Sequence, residues 1–109
     1  MAYSQALARR IRILLSEQSG WTEKVMFGGI GFLLHGNMAV GVHHDSLIVR
    51  VGAQNYEHAL QERFVRPFDM TGRPMTGWVE VNAQGCASDA QLRSWVQRGV
   101  SFVEGLPAK

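Results

Sequence analysis

The chain has 109 residues, a length typical of one domain, and its 46% hydrophobic and 18% charged residues are the composition of a folded protein. Its net charge of +2, from 11 cations and 9 acids, is too small an excess to predict a nucleic-acid-binding protein by itself. The single Cys86 excludes an intramolecular disulfide, and no apolar run approaches the roughly 20 residues that span a bilayer, so we expect one cytoplasmic domain over residues 1–109 with no membrane segment.

The first predicted element is a helix over residues 4–17. Apolar residues recur at helical spacing between Leu7 and Leu15, and Ser4 precedes them as the expected N-cap. Ile13 lies on the other side of the helix, where a helix that packs on a core normally carries polar residues. We therefore name Ile13 as a candidate interface residue.

Three arginines, Arg9, Arg10 and Arg12, form a local cluster of positive charge in this helix, with no acid before Glu17. Two interpretations stay open. The arginines form an ordinary solvated helix surface, or they contact the phosphates of a nucleic acid. The small net charge favours the first interpretation.

Residues 24–52 change to the period of two that β-strands show. Alternating apolar residues, among them Met38 and Val40 on one face, lie on either side of two short turns at 36–37 and 44–45. This pattern predicts two consecutive hairpins, which together form a three-stranded antiparallel meander.

Two motifs in this region invite a functional interpretation. The glycines at 28–31 resemble the start of a phosphate-binding loop, but a strand rather than a helix follows them, so a bulge or a close backbone approach is the better interpretation. His43 and His44 are adjacent in a predicted strand and point to opposite faces, which argues against a shared metal ion. We expect no metal and no cofactor.

Past the meander, residues 54–63 suit a short helix, and 66–68 and 78–81 suit two paired strands. Ser88 and Gln91 form a capping box at the start of a long amphipathic helix. The order α-β-β-β-α-β-β-α, with hairpins in place of βαβ units, predicts an α+β domain. Its antiparallel sheet has about five strands, and its helices pack mainly on one face.

The loop that precedes the last strand has two interpretations. Asp69 and Gly72 fit the first and last positions of a β-turn, and pairing of Asp69 with Arg73 would make the loop a structural corner. Alternatively, Arg50, Asp69 and Arg73 bind an anion or another ligand. Trp78 alternates with two valines and is predicted to lie on the face away from the core, where it would anchor a partner.

Two stretches of the chain, TEKVMFGGIGFLLHGNMAVGV at 22–42 and RPFDMTGRPMTGWVEV at 66–81, resemble the TfoX/Sxy N-terminal domain family, and the final helix does too. The residues that carry the resemblance are Met26, Phe27, Gly28, Gly29, Gly31, Gly36, Met38, Gly41, Pro67, Phe68, Met70, Gly72, Arg73, Pro74, Met75, Gly77 and Trp78. The resemblance implies a secretion-chaperone-like fold, often dimeric, without catalytic residues. It also implies a regulator of bacterial competence that acts as a transcription coactivator with the cyclic-AMP receptor protein. We expect a stand-alone short member, without the C-terminal domain of those regulators.

Three functions follow from these observations. The absence of a catalytic constellation and the resemblance predict a non-enzymatic interaction module in a regulatory setting, whose partner is a second copy of the chain or a regulatory protein. Ile13 and Trp78 are the predicted interface residues. The alternatives are a nucleic-acid-binding accessory protein that uses the arginines of the first helix, and a small-anion or ligand-binding protein that uses the loop at 66–75.

Overall fold

A six-stranded antiparallel sheet with helices against one face organises the chain in this computed structural model, which describes residues 3–16, 18–26, 28–69, 72 and 75–108. The strands are β1 (Trp21–Met26), β2 (Gly29–Leu34), β3 (Asn37–His43), β4 (Ser46–Arg50), β5 (Val65–Pro67) and β6 (Trp78–Val81). The helices are α1 (Gln5–Leu15), α2 (Ala53–Leu60) and α3 (Asp89–Glu104), with a short 3-10 helix at Ala83–Cys86 before α3. The strands lie in the order β1-β2-β3-β4-β6-β5. The predicted α+β class is confirmed, and the predicted elements occur in the predicted order.

The sheet has one strand more than the predicted order, because the chain is already extended at Trp21. This first strand, β1, pairs with β2 at one edge of the sheet, and its residues 22–25 are exposed. An edge strand of this kind has no alternation of buried and exposed residues, so the periodicity of the sequence does not reveal it.

Local signals place the ends of the helices. The backbone N–H of Leu7 donates to Ser4 Oγ at 3.1 Å, so Ser4 is the N-cap of α1 as predicted, although α1 already ends at Leu15. At α3, Gln91 N donates to Ser88 Oγ at 3.1 Å and Ser88 N donates to Gln91 Oε1 at 3.0 Å, which confirms the capping box. None of the described helices has the length and apolar character needed to cross a membrane.

The first hairpin turn lies one residue earlier than the sequence pattern predicts. His35 and Gly36 hold positive φ angles of 49° and 86°, which a tight two-residue hairpin turn requires. Asn37 is then the first residue of β3, and its buried side chain donates a hydrogen bond to the Pro107 carbonyl oxygen at 2.9 Å. The second turn, at 44–45, lies where the pattern predicts it.

The face of the sheet against which the helices pack, called here the covered face, holds the main hydrophobic core. Its fully buried side chains include Phe32, Val40, Val49, Val79 and Val81 from the strands and Ile11, Leu92 and Val100 from the helices. Helix α3 comes close to β3 at Gly99, where a Cβ atom would lie 2.6 Å from the Ala39 carbonyl oxygen. Removal of these apolar side chains from water is the main source of the domain's stability.

A β-bulge in β3 decides on which face Met38 lies. Phe32 pairs with Val40 but Leu33 pairs with Met38, so Ala39 is an extra residue opposite β2. The prediction that Met38 and Val40 share a face is therefore wrong. Val40 is part of the core on the covered face, whereas the bulge turns Met38 to the opposite face.

Candidate binding cavity on the open face of the sheet

The face of the sheet opposite the helices, called here the open face, has a floor of three glycines. Gly29 and Gly31 in β2 and Gly41 in β3 leave bare backbone where other residues would place a side chain. A Cβ atom at Gly31 would lie 3.0 Å from Met26 Cε and 3.1 Å from Met38 Sδ. The side chains of Met26 and Met38 therefore fold over the glycines and occupy part of the space above them.

The close backbone approach predicted for the glycines at 28–31 lies at Gly29. A Cβ atom at this residue would collide with the carbonyl oxygen of Val42 in the neighbouring strand. Strand β2 follows these glycines, so the helix N-terminus of a phosphate-binding loop does not form here.

Phe68 and Met75, two described residues between β5 and β6, form a wall beside the floor. Phe68 N donates to Trp78 O at 3.3 Å, Met75 N donates to Phe68 O at 3.0 Å, and Trp78 N donates to Met75 O at 3.0 Å. These backbone hydrogen bonds hold the Phe68 ring above the sheet, with its centroid 6.4 Å from that of the His43 ring.

Between the floor and the wall lies a cavity of about 330 Å³, called here the open-face cavity. Its described lining consists of Met26, Gly29, Ile30, Met38, Val42, His43, Ile48, Phe68, Met75 and Trp78. The only nitrogen-bearing side chains in this set are the imidazole of His43 and the indole of Trp78. The cavity therefore suits an apolar group, and three flexible thioethers can adapt to its shape.

Arg50 lies next to Trp78, one of the lining residues of the open-face cavity. The two residues are directly opposite each other in the pairing of β4 with β6. The Arg50 guanidinium carbon is 5.2 Å from the centroid of the Trp78 ring and 5.3 Å from that of the Phe102 ring. Stacking against two aromatic rings holds this positive charge in place.

The floor of the cavity comes from the sequence stretch at 22–42, and the wall comes from the stretch at 66–81. A family model described as the TfoX N-terminal domain matches residues 14–103, which is most of the chain. The chain belongs to the TfoX N-terminal domain family. No curated protein and no solved structure matches it.

The motif residues of this TfoX N-terminal domain thus serve two purposes. Methionines, aromatic residues and three glycines line or floor the cavity, as described above. Four further glycines, Gly28, Gly36, Gly72 and Gly77, hold positive φ angles in turns and loops. The motif residues Phe27, Met70, Arg73 and Pro74 lie outside the described residues.

The fold places the two predicted interface residues of the TfoX N-terminal domain on opposite sides of the sheet. Ile13 is 65% exposed on the outer side of α1, which packs on the covered face. Trp78 lies on the open face, as its alternation with Val79 and Val81 predicts. Homodimerisation through either residue stays a prediction.

Only part of the predicted anion site lies within the described residues. Arg50 is beside the open-face cavity, whereas Arg73 is outside the described part of the chain. Asp69 is exposed next to Phe68 and forms no ion pair with any described cation. The predicted corner between Asp69 and Arg73 therefore stays a prediction.

Two of the three arginines of α1 form hydrogen bonds with other residues of the TfoX N-terminal domain. Arg10 donates to the carbonyl oxygens of Cys86 at 3.2 Å and Ala87 at 3.0 Å. Arg12 donates two hydrogen bonds to the Glu23 carboxylate, at 2.7 and 2.9 Å, and these bonds raise the pKa of Arg12. Arg9 is exposed. Two of the three predicted phosphate contacts thus have other partners.

The chemistry of the other reactive side chains follows from their surroundings. Cys86 is buried, and burial raises the pKa of its thiol, so the nucleophilic thiolate is disfavoured. The rings of His43 and His44 touch edge to face with centroids 4.4 Å apart. Within the described residues, no group of three or more histidine, cysteine, aspartate or glutamate side chains is placed to hold a metal ion.

Sequence analysis missed Ile48 and His43 as lining residues of the cavity, and it missed the role of the glycines as a floor. Gly29, Gly31 and Gly41 each lie in a strand, and Gly31 is directly opposite Gly41. Alternate glycines in neighbouring predicted strands are a signal for such a floor, because each removes a side chain from the same face.

Proposed function

We propose that this chain is a non-enzymatic binding module of a regulatory system, and that it binds the apolar chain of a small-molecule ligand in the open-face cavity. The observation that carries the proposal is the composition of the lining: it is almost entirely apolar although it lies on the face of the sheet that none of the described helices covers. Concave and mostly apolar cavities of this size are the usual form of small-molecule binding sites.

The shape of the cavity supports an elongated occupant. Its lining includes residues of β1, β2, β3, β4 and β6, and four strand spacings of about 4.8 Å each make that span roughly 19 Å. A volume of about 330 Å³ over such a span is narrow. A single alkyl chain fits these proportions better than a ring system or the backbone of a helix.

The chemistry of the lining supports the same occupant. A polar group inside the cavity would lose its hydrogen bonds to water and find few partners, which disfavours its entry. The buried part of the ligand is therefore hydrocarbon, and its polar end stays at the rim.

Membership of the family supports the regulatory setting. The family resemblance implies control of transcription, including competence, and in this proposal the bound ligand is the signal to which that control responds. No group of described side chains offers a nucleophile, a general base and an electrophilic partner in one place, which supports a binding role over an enzymatic one.

The test is calorimetric titration of the folded chain with monomeric 1-decanol, an alkyl chain with an uncharged head, and we expect saturable binding to one site. Gly31→Ala adds a methyl group to the floor, where its three nearest neighbours are atoms at the flexible ends of Met26 and Met38. The variant should fold and bind decanol at least about tenfold more weakly, because the displaced thioethers fill the cavity.

A matched control is Gly105→Ala, which makes the same chemical change at an exposed residue far from the cavity, with an ordinary φ of −83°. This variant should bind decanol as the unmodified chain does. Absence of decanol binding, or equal binding by the folded Gly31→Ala variant, would contradict the proposed function.

A further inference from the structure

We infer that the ligand of the open-face cavity is an alkyl carboxylate, and that Arg50 binds its anionic head group at the rim. The inference rests on the proposed function and specifies the chemistry of its ligand. Three observations carry it: the contact of Arg50 with Trp78, the lack of hydrogen bonds from Arg50 to the other described residues, and the distribution of charge on the open face.

Arg50 contacts one of the residues that line the cavity. Its guanidinium group is 5.2 Å from the centroid of the Trp78 ring, and Trp78 is part of the lining. A head group attached to a chain that runs along the cavity towards Trp78 therefore emerges beside Arg50.

The hydrogen-bonding groups of Arg50 are available to a ligand. Cation–π contacts with the Trp78 and Phe102 rings are not hydrogen bonds, so they do not by themselves occupy the N–H donors of the guanidinium. Arg50 forms no hydrogen bond or ion pair with the other described residues, unlike Arg10, Arg12 and Arg66. Two parallel N–H donors match the two oxygens of a carboxylate.

The remaining charges on the open face leave it positive near the cavity. The acid Glu80 accepts two hydrogen bonds from Arg66, both at 3.1 Å, so its charge is already compensated. Asp69 is exposed, where water and salt screen its charge. Lys24 shares the open face of β1 with Met26, at the other end of the cavity, and is also exposed.

The experiment compares three monomeric ligands with the same tail and different heads: decanoate, 1-decanol and decyltrimethylammonium. We expect decanoate to bind about tenfold more tightly than decanol and the cation to bind most weakly. The advantage of decanoate should shrink as salt is added, because screening weakens the attraction of Arg50 for the head group.

Two substitutions of Arg50 locate the head group. Arg50→Met keeps an apolar side chain against the aromatic rings and removes the charge, so decanoate should lose its advantage while decanol still binds. Arg50→Lys keeps the charge without the planar pair of donors and should retain part of the advantage. Lys24→Met is the matched control at the opposite end of the cavity, and it should change the affinity for decanoate by less than about twofold.

The outcomes separate this inference from the proposed function. Equal binding of decanoate and decanol by the unmodified chain overturns the carboxylate inference and leaves the proposed function intact, whereas failure of all three ligands overturns both. Loss of the decanoate advantage in Lys24→Met rather than Arg50→Met would place the head group at the other end of the cavity and refute the role of Arg50.

Binding to phosphatidylglycerol vesicles without binding of monomeric decanoate would point to a membrane surface and refute the free ligand. If Arg50→Met does not fold, two results still test the inference. They are the order in which the unmodified chain binds the three ligands, and the affinity of the Arg50→Lys variant for decanoate.

Discussion

The two faces of one sheet are built in opposite ways in this domain. On the covered face, side chains such as Phe32 and Val79 meet α1 and α3, and the space between the layers is filled. On the open face, Gly31 and Gly41 contribute no side chain, no described helix packs there, and Phe68 and Met75 line a cavity above the floor. The same strands therefore supply a packed core on one side and a cavity on the other.

The difference between the two faces separates the residues that stabilise the fold from those that line the cavity. Alternate residues of β6 show it most clearly: Val79 and Val81 are fully buried in the core, whereas Trp78 lines the cavity and Glu80 pairs with Arg66. A substitution on the covered face should act mainly on folding, and one on the open face mainly on binding.

The largest expected difference in the free energy of unfolding is between substitutions of two phenylalanines, one on each face of the sheet. Phe32→Ala removes a side chain that is 1% exposed in the core and should lower the free energy of unfolding by about 3–5 kcal/mol. Phe68→Ala removes a half-buried ring over the open face and should cost only about 1 kcal/mol, because the ring is already partly exposed to water in the folded state. Urea denaturation followed by circular dichroism measures both values. Equal costs would show that the loop over the open face belongs to the core.

An intermediate difference in stability is expected between the loss of an ion pair on the open face and the loss of one on the covered side. On the open face, the Glu80 side chain is only 11% exposed under Arg66, so Arg66→Ala leaves a nearly buried carboxylate unpaired, at a cost of about 1.5–3 kcal/mol. The pair of Arg12 with Glu23 has side chains that are 41% and 40% exposed, and Arg12→Ala should cost about 0.2–1 kcal/mol.

Denaturation at low and high salt checks this comparison, since screening should reduce the cost of Arg12→Ala more than that of Arg66→Ala. The double variant Arg66→Ala with Glu80→Gln should recover part of the stability lost in Arg66→Ala alone. If it recovers nothing, the unpaired carboxylate is not the cause of the loss.

The smallest effect on stability is expected at Ile13, on the covered side of the molecule. The fold implied by the family resemblance is often dimeric, and Ile13 and Val25 are exposed by 65% and 68% on the same side of the sheet. We expect Ile13→Glu to change the free energy of unfolding by less than about 0.5 kcal/mol, as surface substitutions do. In multi-angle light scattering it should shift a dimer towards the monomer mass, whereas Trp78→Ala, which alters the cavity, should not. The reverse result would place self-association on the open face.

Sequence reasoning reached the local features of the fold and several of the residues at the candidate site. The N-cap Ser4, the capping box at Ser88 and the alternation that puts Trp78 on the open face are signals within a few residues of chain, and they are confirmed. The turn at His35 was predicted one residue too late, and the edge strand β1 was missed. The sequence pattern around each is short, and only pairing with the neighbouring strand fixes its position.

The sequence by itself determined the α+β class, the hairpins, the amphipathic α3 and the resemblance to the TfoX N-terminal domain family, because propensity, periodicity and capping act over a few residues. Tertiary structure alone decided that the bulge at Ala39 turns Met38 to the open face and that the loop carries Phe68 over the glycine floor. It also decided that Arg10 reaches the carbonyl oxygen of Cys86, 76 residues away in the chain. A cavity is the space that residues distant in sequence leave between them, so it has no local signal, and it exists only once the strands have been paired in register.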